Sequence, residues 1–511
     1  MAELAGPHPP GDYPVVIIGS GPGGLQVAYS LRRLGIRHAL LSSDPGPGGM
    51  FRRWPFFQRL LSWTKPFAPP EPGSREYERY DWNSLLGDEP DTRAIMRDLM
   101  DGSSYFPSRP EMETNLGEFV ARSELQVRQS CTWTSTRLLD GPDDLRWAVE
   151  TTDGTYRAAV LVVAVGVAQP FTPPGRGMEL THHYADVRPP DTYAGKRVFI
   201  IGKQNSGFEL ANGLLPWARQ LILSSPSPAH LSVETRSLVG VRARYVQPFE
   251  DHVLGGGVTI LEASLDGIER VEGGDGALLV RVKRSDGGAS LDLEVDEVIA
   301  ATGFTAPLVD LADLGAQVVG RSGLPALTAW WESATLPGLY FAGTLSQAAK
   351  GLQKHGMPAN SGAVHGARYN ARVLAAHLAT THFGGTRPRP SVAADGLVDM
   401  IATELTQAPE LWHQRGYLAR VITLDPEAGL VDDGVQPLTH VLDSTGPDLL
   451  AITLEADGSG ALYPCLYTRR AGAISEHPIA PNALLRYDGA DTRSAIASVV
   501  SSVVPGAVSG S

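Results

Sequence analysis

Residues 15–18 are four apolar positions without alternation, the pattern of a strand covered on both faces of a parallel sheet. Gly19, Gly21 and Gly24 follow, inside an apolar-periodic stretch that Gly35 closes, which predicts strand, tight turn and helix. Residues 36–41 predict a second strand. Residues 111–127 predict a helix leading into a strand, and 145–168 a hairpin whose apolar second half ends at Gly166. The opening pattern then returns. Residues 196–201 predict a strand, 202–207 a turn, 208–215 a helix and 220–225 a second strand, so the chain contains an internal repeat. Residues 295–303 and 339–343 are strands that run into glycine, and 361–378 a helix. Beyond a Gly/Pro linker at 382–390, the pattern predicts a helix at 397–405, strands at 420–424, 449–455 and 460–467, and a fraying tail at 498–511. The predicted class is α/β, with two Rossmann-like dinucleotide-binding domains, the second inserted in the first, and a small α+β C-terminal domain. The boundaries fall at 1–175 and 304–384 for the split first domain, 176–303 for the second and 385–511 for the third.

Each glycine of the first turn has a physical task. Gly19 makes the bend, Gly21 admits a pyrophosphate to the backbone, and Gly24 packs the helix onto the strand. Pro22 and Gly23 complete the turn, and the helix N-terminus offers free N–H groups to an anion. An acidic residue is expected after the second strand to hold the adenosine ribose, and the candidates are Ser42 and Asp44. Gly49 and Met50, in the loop after Asp44, and Gly166 are further backbone approaches to a cofactor. In the repeat, Gly202, Asn205, Ser206 and Gly207 keep the turn, but Gln204 stands where the middle glycine belongs. Thr302, Gly303 and Gly343 lie at strand ends, and Gly362 and His365 at the start of a helix.

Composition narrows the function classes. A chain of 511 residues suggests about three domains. A formal charge of −13 argues against a nucleic-acid binder or a protein of anionic membrane surfaces. No apolar run reaches the ~20 residues of a membrane span, and residues 1–14 lack the features of a signal peptide, so a cytoplasmic location is expected. Cys131 and Cys465 stand far apart, which leaves neither a disulfide framework nor a metal-binding spacing. Residues 50–109 form an aromatic, Pro-rich excursion that is either a packing arm or a wall over a cofactor ring, and residues 350–360 form a polar loop that either gates a pocket or is solvated surface.

The series Gly19–Gly24, Ala164-Val-Gly166, Gly202–Gly207, Ala301-Thr-Gly-Phe304 and Tyr340-Phe-Ala-Gly343 resembles the two-dinucleotide-binding-domain flavoproteins, in particular the flavin-containing monooxygenase and N-hydroxylase group. Arg59-Leu-Leu-Ser-Trp-Thr-Lys65, Tyr80-Asp-Trp-Asn-Ser-Leu-Leu86, Tyr105-Phe-Pro107 and Gly362-Ala-Val-His-Gly-Ala-Arg-Tyr369 are more similar to the FAD-dependent oxidoreductase domain-containing proteins and their bacterial relatives. The resemblance implies FAD in the first unit, NADPH or NADH in the second, and a monooxygenase that uses O2 on a small-molecule biosynthetic intermediate, an amine among them. On that model Thr64 stands where the monooxygenases carry an asparagine beside the flavin, and Lys65, Gln204, Asn205 and His365 supply hydrogen-bond donors. Residues 181–187 are similar to the histidine-containing linker of that group, with His182 at the matching place and His183 beside it.

The same resemblance marks departures. No cysteine pair exists for a disulfide reductase. Residues 223–228 lack the arginine that takes a 2′-phosphate, with Arg219 and Arg236 the nearest substitutes. Two other readings therefore stand beside the first. One is an FAD oxidase or dehydrogenase with a degenerate nicotinamide site, and the other is a flavin-bearing scaffold. A homodimer, a lid and a partner-binding module are all open roles for the C-terminal domain.

Overall fold

In the computed structural model, which describes residues 6–140, 144–235, 240–273 and 276–504, the apolar runs become central strands. The opening strand Gly11–Ile18 lies in parallel register between His38–Leu41 and Gly154–Val163. Val15, Val16 and Ile17 are fully buried, as a strand covered on both faces requires. Gly154–Val163 is long enough to serve two partners. Its first half pairs antiparallel with Trp147–Thr151, and its last three residues pair in parallel with Leu339–Phe341. The helix Pro22–Arg33 packs on the helix Val364–His382, so residues more than 300 positions apart form one cofactor-type layer.

The repeat is a seven-stranded sheet. Its order is Leu291–Val295, Leu278–Arg284, Val258–Arg270, Gln220–Ser225, Arg197–Ile201, Glu297–Ala300 and His182–His183. Phe199, Ile222, Val280, Val298 and Ala300 form its core. The helix after the turn is Asn205–Leu214, three residues earlier than the apolar periodicity suggests, because Gln204 already takes the extended N-cap conformation.

The C-terminal sheet is wholly antiparallel, in the order Gly429–Pro437, Leu418–Asp425, Leu449–Ala456, Leu462–Arg470 and Ala473–Pro478. The helices Leu397–Gln407 and Ala490–Val503 cover one face, with Ile401, Leu405, Ile496 and Val500 in the core. Leu438, Val441 and Leu352 cover the other. All eight residues of the central strand Leu449–Ala456 are buried in consequence. The residues of the expected fraying tail are helical as far as Val503, because Ile496, Val500 and Val503 face inward at helical spacing. Residues 505–511 lie outside the described part.

By contacts the chain forms two compact units. One comprises Met1–Arg52, Ser62–Val167 and Ala306–Ser511, and the other Arg53–Leu61 and Ala168–Thr305. The aromatic excursion is thus divided: residues 53–61 pack with the repeat and 62–109 with the first sheet. The C-terminal sheet packs as part of the first unit. Among the described residues no helix is long and apolar enough to cross a membrane.

Candidate cofactor site

The first turn is shaped by backbone contact. Gly19 has φ +108°, and a Cβ there would stand 2.6 Å from the Ala164 carbonyl oxygen. A Cβ at Gly24 would overlap the Gly19 carbonyl, and one at Gly23 would overlap the backbone of Gly343. Gly21 differs. Its backbone is extended, and a Cβ would meet nothing within 4 Å, so packing leaves the space before it open. The loop glycine Gly49 closes one side, its virtual Cβ 3.1 Å from the Gly21 Cα. No side chain caps the helix Pro22–Arg33 at Gly21, so its first N–H groups face that space. An open cradle at Gly21 between crowded Gly19, Gly23 and Gly24 is the shape that a dinucleotide pyrophosphate requires. The residues present fit FAD.

Around the cradle, the Ser20 hydroxyl donates to Ser42 Oγ at 2.7 Å, which also accepts the Asp44 N–H at 3.2 Å. Ser42 is buried and braces the turn, while Asp44 stands half-buried beside it. Met50 lies in the short helical turn Gly49–Arg52. Gly166 and Gly343 both have φ near +70°, which lets the two strand ends turn away beside the cradle. A Cβ at Gly362 would meet only the Gln347 side-chain oxygen, at 2.8 Å.

The helix Val364–His382 begins at Ala363, without a side-chain cap. Its start is held from the C-terminal module. Gln414 Nε2 donates to Ser361 Oγ (2.9 Å), Asn370 Oδ1 (2.6 Å) and the Gly366 carbonyl (3.1 Å), and Asn370 Nδ2 donates to Ser346 and Ser361. The Asn360 N–H donates to the His413 carbonyl at 3.2 Å. Sequence reasoning passed over Gln414, which sits at the end of a short helix in a stretch with no motif. The loop 350–360, open as a gate or as solvated surface, is tied down instead: the Leu352 N–H donates to Gly416, and Lys354 pairs with Glu455.

The structure places the expected donors as follows. His365 is fully buried, stacked on Trp82 at 4.0 Å and edge-on to His413 at 4.9 Å. The reason is its i, i+4 relation to Tyr369 on the inward face, where Tyr369 donates to Glu78 at 2.8 Å. Burial raises the Glu78 carboxyl above its usual range and drives His413 well below the ordinary imidazole value. Thr64 is fully buried, donating to Asp81 at 2.8 Å and accepting from Asn83 at 3.0 Å. Lys65 is exposed, and its N–H and carbonyl bond Tyr80 and Tyr77.

In the repeat, Gly202 has φ +122°, and Gly207 repeats the contact of Gly24 by approaching the Gly202 carbonyl. Asn205 clasps the loop behind it, donating to the Gly240 carbonyl and accepting the Arg242 N–H, both at 3.1 Å; it is a positioning residue. Gln204 is exposed at the mouth of the turn, with Ser206 half-buried behind it. Lys203, which sequence reasoning did not single out, is buried with its Nζ unpartnered, and burial lowers its ionisation against the pull of Glu262. Thr302 donates to the Phe171 carbonyl at 2.5 Å, and Gly303, at φ +89°, turns the chain there. His183 Nε2 donates to the Gly303 carbonyl while its Nδ1 accepts the Ala185 N–H, so the ring is neutral and structural. His182 is exposed, 3.5 Å from Glu297. Arg219 immediately precedes the strand Gln220–Ser225, at the far end from Ser225, and so cannot substitute for the missing arginine. Arg236 lies outside the described residues.

Residues 16–343 match the sequence model of the pyridine nucleotide-disulphide oxidoreductases. The chain belongs to that family. The FAD-dependent oxidoreductase domain-containing protein 2 of Mus musculus is 28% identical over 460 residues, covering 84% of this chain and 66% of the mouse protein. The chain therefore spans just under two thirds of that relative's length. Bacillithiol disulfide reductase Bdr (YpdA) of Staphylococcus aureus superposes with a TM-score of 0.55 at 17% identity, covering 73% of this chain and 99% of its own. The flavin-containing monooxygenase of Stenotrophomonas maltophilia superposes at 0.52 and 21%, covering 72% and 98%. Both likenesses show the fold. The matched span contains the cradle at Gly21. The chain carries no redox dithiol. Cys131 and Cys465 are free and buried, and burial pushes the Cys465 thiol up to about 12.

Proposed function

We propose that this oxidoreductase is a monooxygenase that takes electrons from NADPH or NADH and hydroxylates a small molecule, an amine among the candidates, with O2 as co-substrate. The observation that carries the reading is a pair of dinucleotide-type turns in a chain without a cysteine pair. Electrons that enter from a nicotinamide have no protein disulfide to leave by, so a diffusible acceptor is needed. FAD, when bound, supplies a two-electron acceptor whose reduced form reacts with O2. The chain's own part is placement. Gly19, Gly21 and Gly24 shape the pyrophosphate cradle, Ser20, Ser42 and Asp44 form the bonded edge beside it, and Gln414 fixes the start of the helix at Ala363.

A second reading is favoured by Gln204. A side chain at the mouth of the second turn hinders the close approach that a middle glycine permits, as expected of an oxidase or dehydrogenase that draws electrons from its own substrate. Anaerobic mixing of the flavin-loaded protein with NADPH or NADH, followed at the oxidised flavin band, separates the two. Rapid bleaching supports the monooxygenase. Absence of bleaching with either nucleotide rejects it in favour of direct reduction by substrate.

A further inference from the structure

Arg415 follows Gln414 at the turn into the strand Leu418–Asp425. It lines a small, partly open hollow together with Lys350, Gln353, Lys354, His355 and Glu455. Arg415 Nε is buried with no hydrogen-bond partner, and burial alone pulls the ionisation of the group down, with no carboxylate opposing it. Some arginines of this unit are neutralised, whereas Arg387, like Arg415, has an unpartnered Nε and is pulled down by burial. Arg75 meets Glu404 and Glu410, Arg420 meets Asp432, and Arg128 meets Asp153. Arg415 is half-buried, and a guanidinium whose Nε is out of water and unbonded is costly to keep, so an anion from solution supplies what the chain does not.

The carboxylate that lines the hollow is not available to it. Lys354 Nζ holds both Glu455 oxygens at 3.0 Å and meets Glu476 at 2.7 Å, and the Tyr463 and Tyr467 hydroxyls donate to Glu455. That arrangement also disposes of a cation site: Glu455, Cys465 and Glu476 converge within 4.8 Å, but an ammonium already bridges the two carboxylates. Lys354 is shared between two carboxylates, so Arg415 and the exposed Lys350 are the cations of the lining that have no ion pair among the described residues.

The walls are tied to each other. The Leu352 N–H donates to the Gly416 carbonyl at 3.3 Å, and Gly351, at φ +66°, comes so close that a Cβ would stand 2.8 Å from the Tyr417 ring. Tyr417 in turn accepts from Trp331 Nε1 at 2.5 Å. These ties hold Arg415 in place at the edge of the hollow.

We propose that this hollow binds an oxyanion, the carboxylate or phosphate group of a small molecule, with Arg415 as the forked donor and Lys350 as the second cation. The site is independent of how the flavin is used. It lies within the same compact unit as the cradle at Gly21, and Arg415 directly follows Gln414.

The test is calorimetric titration of the full-length, flavin-loaded protein with sodium phosphate and, separately, with sodium acetate at constant ionic strength. Saturable binding of either probe, weakened at least tenfold in Arg415→Gln and several-fold in Lys350→Gln but unchanged in Arg33→Gln, supports the site. Response to phosphate alone assigns a phosphoryl ligand, and response to acetate alone a carboxylate. No saturable binding of either probe, or equal binding by the wild type and Arg415→Gln, overturns the proposal. If Arg415→Gln loses its far-UV circular dichroism, Lys350→Gln decides, and unchanged binding in that variant is the overturning result.

Discussion

Gly21 and Gly24 stand three residues apart and make opposite predictions. A side chain at Gly21 enters open space, so Gly21→Asp folds normally and puts a carboxylate where the pyrophosphate lies. The expected product is soluble, colourless protein with an unchanged circular dichroism spectrum, and a variant that keeps its flavin would falsify the cradle. Gly24→Ala instead forces a methyl into the Gly19 carbonyl and is expected to cost about 1–3 kcal/mol in urea unfolding, whether or not flavin is present. At the second turn, Gln204→Gly removes the exposed side chain from the mouth. A lower dissociation constant for NADPH or NADH is expected, and an unchanged one rejects the view that Gln204 obstructs.

At the scale of elements, the helix Leu397–Gln407 is anchored through one carboxylate. Glu404 is nearly buried and takes Arg75 at 2.6 and 2.8 Å and Arg420 at 2.7 Å. Burial pushes its carboxyl up, but the two guanidiniums hold it below the usual range. Glu404→Gln removes the carboxylate the two arginines share and leaves Arg75 to Glu410 and Arg420 to Asp432. A loss of about 2–3 kcal/mol in urea unfolding is expected, below the range for a fully buried pair because Arg75 is part-exposed; a change under ~0.5 kcal/mol would reject the anchor. The elements legible in the sequence are those whose cause is local. The glycine turns, the apolar strand 15–18 and the strand Gln220–Ser225 are where residue pattern places them. The strands Gly429–Pro437 and Ala473–Pro478 escaped because they form the two edges of their sheet, and their polar residues, Asp432 and Asp433 among them, carry no alternation to read. The site was half legible for the same reason. Cradle glycines are a matter of neighbours in sequence, whereas the burial of Thr64 against Asp81 and of His365 beneath Trp82 depends on segments that meet only in the folded chain.

For the whole molecule, the histidines set the response to acid. His8, His38, His183, His377, His382, His413 and His440 are all lowered by burial, His38 and His377 to about 4. In the unfolded chain each titrates near 6.5, so between about 6.5 and 4 the unfolded state takes up protons that the folded state refuses. Their contribution is whole above 6.5 and falls away towards pH 4. The raised carboxyls of Glu78 and Glu209 act in the opposite direction but are only two against seven. Urea midpoints are expected to decline steadily from pH 7 to pH 5 at constant m-value, and a flat profile would contradict the burial of these rings.

The amide of Gln414 carries a last implication, about heredity rather than chemistry. A module joined through a Gly/Pro linker looks like one that recombination can exchange freely, yet this one lends a residue to the interior of its neighbour, among Ser361, Gly366 and Asn370. Cutting at the linker would take one hydrogen-bond partner from each of Ser361 and Asn370 at the start of the helix. The two parts must therefore be inherited together, and changes at 361 or 370 should be tolerated only alongside compensating changes at 414.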